Sequence, residues 1–339
     1  LGSFMMAGRQ VGRDLRWAAI DLMSLAHNHS MDFGEPGMAA TIRHCKAAGL
    51  AVAGTGLDLE EAREPGYLET KHGRVALIST TSGNKSNEWA SLAKGGVRGR
   101  PGINPLRVSF CYMLEPEAAE QMKAIARKLD VLREAGQSTA SVGLKGEEFS
   151  FQMPGDQSTR GSNVFVAGDK FEIQSTCHKR DLEGNLRSID EARKMADFVI
   201  VAHHFNIAGG KAGDKTLPEA ATPRHSVRVP PHPAIDAGAD AYVGHGWHST
   251  LGIEIYKGKP IVYGIGNFFA QSEFIRRVPY DSYESWGHDM DRLPTLHPSD
   301  HPLHPGLDSH SETWWTSALM TLEMQNGQFR QMRLHPVEM

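Results

Sequence analysis

The sequence predicts an α/β protein. Three observations carry that prediction. A rhythm of helix, short apolar strand and histidines recurs in two separate stretches; the versatile polar residues gather where strands end; and 339 residues are enough to bury a full core. The first stretch runs DLRWAAIDLMSLAHNH and then EPGMAATIRHCKAAGLAVAGTG. Met38, Ile42 and Cys45 fall on one helical face, and Gly49 closes that helix before an apolar strand. RVALIST reads as the next strand, and a helix follows with Met122, Ile125, Leu129 and Leu132 on one face. The second stretch runs LRSIDEARKMADFVIVAHH and then HPAIDAGADAYVGHGWH. Alternating helices and apolar strands build layered α/β folds.

Segment 136–185 is polar, Gly-rich and weakly patterned, and reads as an insertion or lid. IEIYKGKPIVYGI and LMTLEMQNGQFRQMRL read as hairpins that turn at Gly258 and at Asn326-Gly327. Between them, 270–313 is a long irregular loop rich in Pro, His and aromatic residues. The whole, 1–339, reads as a single α/β catalytic domain with long inserted loops.

Composition excludes several classes. A formal charge of −4 offers no electrostatic footprint for nucleic acid, and no run approaches the eighteen or so apolar residues of a membrane helix. Cys45, Cys111 and Cys177 are far apart and form no C-x-x-C pair. That argues against a disulfide framework or a thiolate zinc site and fits a reducing, cytoplasmic setting.

Seventeen histidines draw attention to where they sit. Three clusters stand at strand ends: His27-Asn28-His29 with Asp32, then His203-His204, then His245 and His248 around Trp247. Ligands of open α/β sheets collect outside the carboxyl ends of strands. A single strand-end histidine reads as an ordinary hydrogen-bonded residue, whereas three clusters in one chain read as a site. His203 and His204 are adjacent on a strand, so they face opposite ways and one of them enters it. HNH also occurs in metal nucleases, but those need a basic surface that this chain lacks. The Gly54–Gly56 GTG reads as a tight turn after a strand, and Asn267 in GNF reads either as a ligand-orienting amide or as a turn cap.

At this level of detail the chain resembles a known family. DLMSLAHNHSMDFG, AGTGLDLEEAREP, ADFVIVAHH, IDAGADAYVGHGWH and GIEIYKGKPIVYGIGNF look like successive motifs of the CapA, or poly-γ-glutamate capsule biosynthesis, family. The resemblance implies a metallophosphoesterase-like sandwich of two central β-sheets flanked by helices. It places Asn28 and His29 on the family's Asn-His, His204 on its strand-end His, His245 and His248 on its Gly-His-x-x-His, and Asn267 on its late Gly-Asn-Phe. It also implies an opening strand with a Gly-Asp motif; this sequence is expected to start after that strand. His27 stands where the family usually has Asn, and Gly246-Trp247 where it has His-Pro.

Three functions follow as expectations. The leading one is metal-assisted hydrolysis of a small organic or peptidic substrate. Asn28, His204, His245 and His248 would hold Mn, Fe or Zn, and His29 would protonate the leaving group. The second is metal-independent acid–base chemistry by His29, Asp32 and His204, giving a lyase, isomerase or epimerase on an aromatic or peptide substrate; CapA relatives include a peptide epimerase. The third is a non-catalytic capsule-assembly binding protein. His27, Trp247, Tyr263 and Asn267 are expected to touch substrate. The acidic, aromatic segment 270–313 would repel polyglutamate if it covered the site, and its rings could equally pack at a contact in a homo-oligomer.

Overall fold

The computed structural model describes residues 5–83, 86–134, 144, 146–151, 163–205, 231–268, 316–325 and 328–338. Loop 270–313 and the turn at Asn326-Gly327 lie outside them.

The α/β expectation holds. A six-stranded sheet is formed by β3 (Gly66–Thr70), β4 (Gly73–Thr81), β5 (Phe198–His204), β6 (Ala241–His245), β7 (Ile253–Tyr256) and β8 (Lys259–Val262). Its order is β7-β8-β6-β5-β4-β3. The four central strands run parallel, and the two edges are antiparallel. Helices α2 (Lys179–Met195) and α3 (Pro231–Asp236) cover one face. There Ala76, Ile78, Val199, Val201, Tyr242 and Ile261 bury against Ile189, Ala192, Ala234 and Ile235. The other face receives a second, two-stranded parallel sheet of β1 (Leu22–Ser24) and β2 (Ala51–Ala53), where Leu22 and Ala53 meet Leu77, Ile200 and Ala202. Sequence parity accounts for both faces, because successive side chains on a strand alternate. Helix α1 (Gly34–Ala47) precedes β2, buries Met38, and ends as expected at Gly49, whose φ of 84° is left-handed.

The hairpin at Gly258 also forms. Ile253–Tyr256 pairs with Lys259–Val262, and Lys257 (φ 49°) and Gly258 (φ 75°) supply the two left-handed positions of a two-residue turn. Thr316–Gln325 pairs antiparallel with Gln328–Glu338.

Two expectations need correction. The helix over Pro116–Lys128 buries Ala119 and Ala126, with Met122 packed nearby, while Ile125 and Leu129 are exposed and Leu132 belongs to the next strand. The buried arc therefore runs through the small residues, and large side chains flank it. Segment 136–185 is also richer than its weak patterning suggests. Its described residues contribute Phe149–Phe151, Asn163–Ala167 and Glu172–Cys177 to a five-stranded sheet with Val108–Leu114 and Leu132–Glu134, and then the start of α2. Strands of three to six residues are too short to build a visible period. Among the described residues, no helix is long and apolar enough to cross a membrane.

Candidate active site

The site forms where β1, β5 and β6 end side by side. His204 closes β5 and His245 closes β6, directly opposite in parallel register. His204 continues the Ile200–Ala202 face, so it points towards the β1–β2 layer. The turn after β1 brings His27 and His29. That turn is held by Ser30, whose hydroxyl bonds the carbonyls of Leu25 and His27 and accepts the His27 N–H.

Three imidazoles meet here. The Nδ1 atoms of His204 and His245 are 3.2 Å apart, and the ring centroids of His27 and His204 are 6.1 Å apart. The Ser24 hydroxyl lies 3.5 Å from His245 Nε2 and 2.7 Å from the Ser79 hydroxyl. Burial, and then the neighbouring rings, push the imidazole pKa values down: to about 4 for His27 and His245 and about 2 for His204. All three rings are therefore neutral at physiological pH. His204 Nε2 is buried and has no hydrogen-bond partner among the described residues. Gly246 (φ 103°) passes directly beneath the ring, where a Cβ would lie 2.7 Å from His204 Cε1. Gly is thus required twice over at this position, by its backbone angle and by the histidine stacked on it.

His29 joins the cluster through its backbone N–H, which donates to His27 Nδ1 at 3.2 Å. Its own Nδ1 is 2.8 Å from Asp32 Oδ2, which also accepts the Met5 N–H at 2.9 Å. A carboxylate can only accept, so His29 carries its proton on Nδ1 and keeps a lone pair on Nε2.

The other expected residues are placed differently. His248 is exposed, left-handed at φ 57°, and 2.7 Å from Asn267 Oδ1, so this Asn and His hold each other at the rim. Asn28 is half-buried beside the cluster. Trp247 packs on Phe205, with ring centroids 5.4 Å apart, in an apolar cluster with Leu106. Tyr263 turns away from the site altogether. It packs with the core on the helix-covered face, and its hydroxyl donates to Glu254 Oε2 at 2.7 Å.

The donor set does not match a metal centre. Among the described residues, no group of three or more His, Cys, Asp and Glu side chains is placed to hold an ion. Asp32 is committed to His29, and the facing Nδ1 atoms of His204 and His245 are committed to each other. A two-metal centre needs a bridging carboxylate to offset its charge. The described residues do not fit that group.

Sequence reasoning missed Ser24, Ser79 and the structural role of Gly246. Parity along RVALIST does set Ser79 on the Leu77 face, which was the available signal.

A family model for the bacterial capsule synthesis protein PGA_cap matches residues 3–272. The chain belongs to this family. The CapA resemblance of its motifs is thereby borne out. Among similar proteins, the protein y4sH of Sinorhizobium fredii is 28% identical over 346 residues, covering 100% of this chain and 70% of its own length. The probable polyglutamine synthesis accessory protein MT0602 of Mycobacterium tuberculosis is 24% identical over 247 residues, or 72% of this chain and 43% of the relative. The PGA biosynthesis protein CapA of Bacillus subtilis is 39% identical over 80 residues, which is 24% of this chain and 18% of that protein.

Proposed function

We propose that this CapA-family chain is a metal-independent acid–base enzyme, a lyase or isomerase acting on a small organic or peptidic substrate. The observation that carries this reading is the pairing of two unlike histidines around His27. His29 is backed by Asp32 at 2.8 Å and keeps a basic Nε2. His204 is neutral, buried and unpaired at Nε2 among the described residues. In this reading His29 removes a proton from a carbon acid. Neutral His204 hydrogen-bonds the charge that develops on the substrate, and His29, now protonated, returns the proton to the leaving group, in elimination, or to carbon, in isomerisation. Each arm of such acid–base catalysis contributes about 10²–10⁴-fold. Neutral imidazoles suit a substrate of low charge, and a net charge of −4 gives no help in gathering polyglutamate.

The test is turnover across a panel of small aromatic, peptidic and polyglutamate substrates, with and without chelator, alongside elemental analysis. Expected are full activity in chelator, loss on His29→Ala and on His204→Ala, and no consumption of the polymer. Stoichiometric Mn, Fe or Zn with activity abolished by chelation would instead establish the metal-assisted hydrolase. Consumption of polyglutamate alone would overturn the substrate class. No turnover beside tight capture of a capsule-assembly partner would make the chain a binding protein.

A further inference from the structure

The aspartates of this chain are anchored in two ways. Asp181 is buried and takes the Arg107 guanidinium at 2.6 and 2.7 Å, with Arg63 Nη2 at 3.6 Å. Asp240 is also buried, and takes Arg193 Nη1 at 2.7 Å, Lys259 Nζ at 3.1 Å and the Val199 N–H at 2.9 Å. Asp32 pairs with no lysine or arginine among the described residues. Its Oδ2 instead accepts His29 Nδ1–H at 2.8 Å and the Met5 N–H at 2.9 Å. Asp32 and His29 share one turn, in which the Asp32 N–H reaches the His29 carbonyl at 3.4 Å. That contact moves with the turn. Met5 lies 27 residues upstream, in the exposed, irregular segment ahead of helix Val11–Trp17, and its N–H ties the carboxylate to another part of the chain. A carboxylate held only by the imidazole it orients would swing with the ring. A second donor from elsewhere, on the same oxygen, fixes where that acceptor stands.

We infer that Met5 is a positioning residue whose main-chain N–H fixes the Asp32 carboxylate, and through it holds the His29 ring with its proton on Nδ1 and its lone pair on Nε2. The N-terminal segment thereby belongs to the site. The inference deepens the acid–base reading and rests on it for what His29 does; the hydrogen bonds themselves belong to the resting fold. The Met5 side chain has no part in it, since the N–H makes the contact. With that N–H in place, swinging the carboxylate away breaks two charge-assisted hydrogen bonds. Without it only one is broken, so the His29 Nδ1 proton should meet water about tenfold more often or beyond.

The test is the exchange of the His29 Nδ1 proton with water, read by ¹H–¹⁵N spectroscopy on the full, ¹⁵N-labelled chain at low temperature and without substrate. His29→Gln identifies the signal. Met5→Pro deletes the N–H, and Met5→Ala keeps it. Expected are the same exchange rate in the wild type and Met5→Ala, and a rate about tenfold higher or more in Met5→Pro. An unchanged rate in Met5→Pro overturns the inference. So does a Met5→Ala rate as high as that of Met5→Pro, because the side chain would then be what matters. Should proline disturb the fold, an amide-to-ester replacement at Met5, which deletes the same hydrogen and leaves every side chain in place, decides alone. The proton is read without substrate, so failure of this inference is distinct from failure of the proposed activity.

Discussion

His203 and His204 are consecutive, both buried, both at the end of β5, and they have opposite fates. His203 looks towards the helix-covered face, where both of its ring nitrogens are hydrogen-bonded. The Ser82 hydroxyl donates to the Leu106 carbonyl at 2.6 Å, so it accepts His203 Nε2–H at 2.8 Å. His203 Nδ1 then accepts the Tyr242 hydroxyl proton at 2.6 Å. His204 looks towards β1 and β2, shares one nitrogen with His245, and leaves the other unanswered among the described residues. Burial lowers both pKa values, to about 3 for His203 and about 2 for His204. A depressed pKa therefore does not distinguish the two histidines; saturation of their hydrogen bonds does.

The sharpest way to break that comparison is to delete each ring. His203→Ala opens a cavity and orphans the Tyr242 and Ser82 hydroxyl contacts, so a loss of about 3–5 kcal/mol is expected. His204→Ala removes a ring that already carries an unanswered nitrogen, and a loss of about 1–2 kcal/mol is expected. Urea unfolding of both variants measures the difference. Equal losses would mean that the two faces are energetically alike and that the unpaired Nε2 has no special standing.

Much of this arrangement was legible beforehand. Strand parity in ADFVIVAHH requires the two histidines to diverge, and the strand-end clusters correctly mark where β1, β5 and β6 converge. The contacts across layers were not legible. Ser24 and Ser79 meet because one sheet packs on another, and nothing local in either segment encodes that 2.7 Å approach. Tyr263, by contrast, was legible. It follows Ile261 by two positions, so parity sets it on the helix-covered face, where Glu254 on the neighbouring β7 takes its hydroxyl. The five-stranded sheet escaped because its strands are short and its segments carry no strong alternation.

Acid should weaken both faces at once. His27, His203, His204 and His245 have folded pKa values of about 4, 3, 2 and 4, below the ordinary 6.5. Between those values and 6.5 the unfolded chain binds protons that the native chain does not, so stability falls as pH falls. The full contribution is present above about pH 7. At pH 5 the loss approaches about 2 kcal/mol per histidine, with coupling among the rings making the sum smaller than four independent terms. Thermal unfolding from pH 7.5 to 5 checks the slope. His203→Ala and His204→Ala should each flatten it by a similar amount, despite their unequal stabilities at pH 7.5. A pH-independent midpoint would show that the rings are not held neutral.

The smallest effect is expected at Tyr263, which tests whether the helix-covered face is as separate from the site as its packing indicates. Its ring lies with Tyr242 and Ile261, and its hydroxyl donates to a Glu254 carboxylate that also meets His232 Nε2 at 2.8 Å. Tyr263→Phe keeps the ring and removes one partly exposed hydrogen bond, so about 1 kcal/mol or less should be lost. Because the hydroxyl points away from His204 and His245, the imidazole ¹⁵N signals and any turnover should be unchanged. A shifted His245 signal or impaired catalysis in Tyr263→Phe would show that the two faces communicate through β6 and β8, and the division drawn at His203 and His204 would then be too sharp.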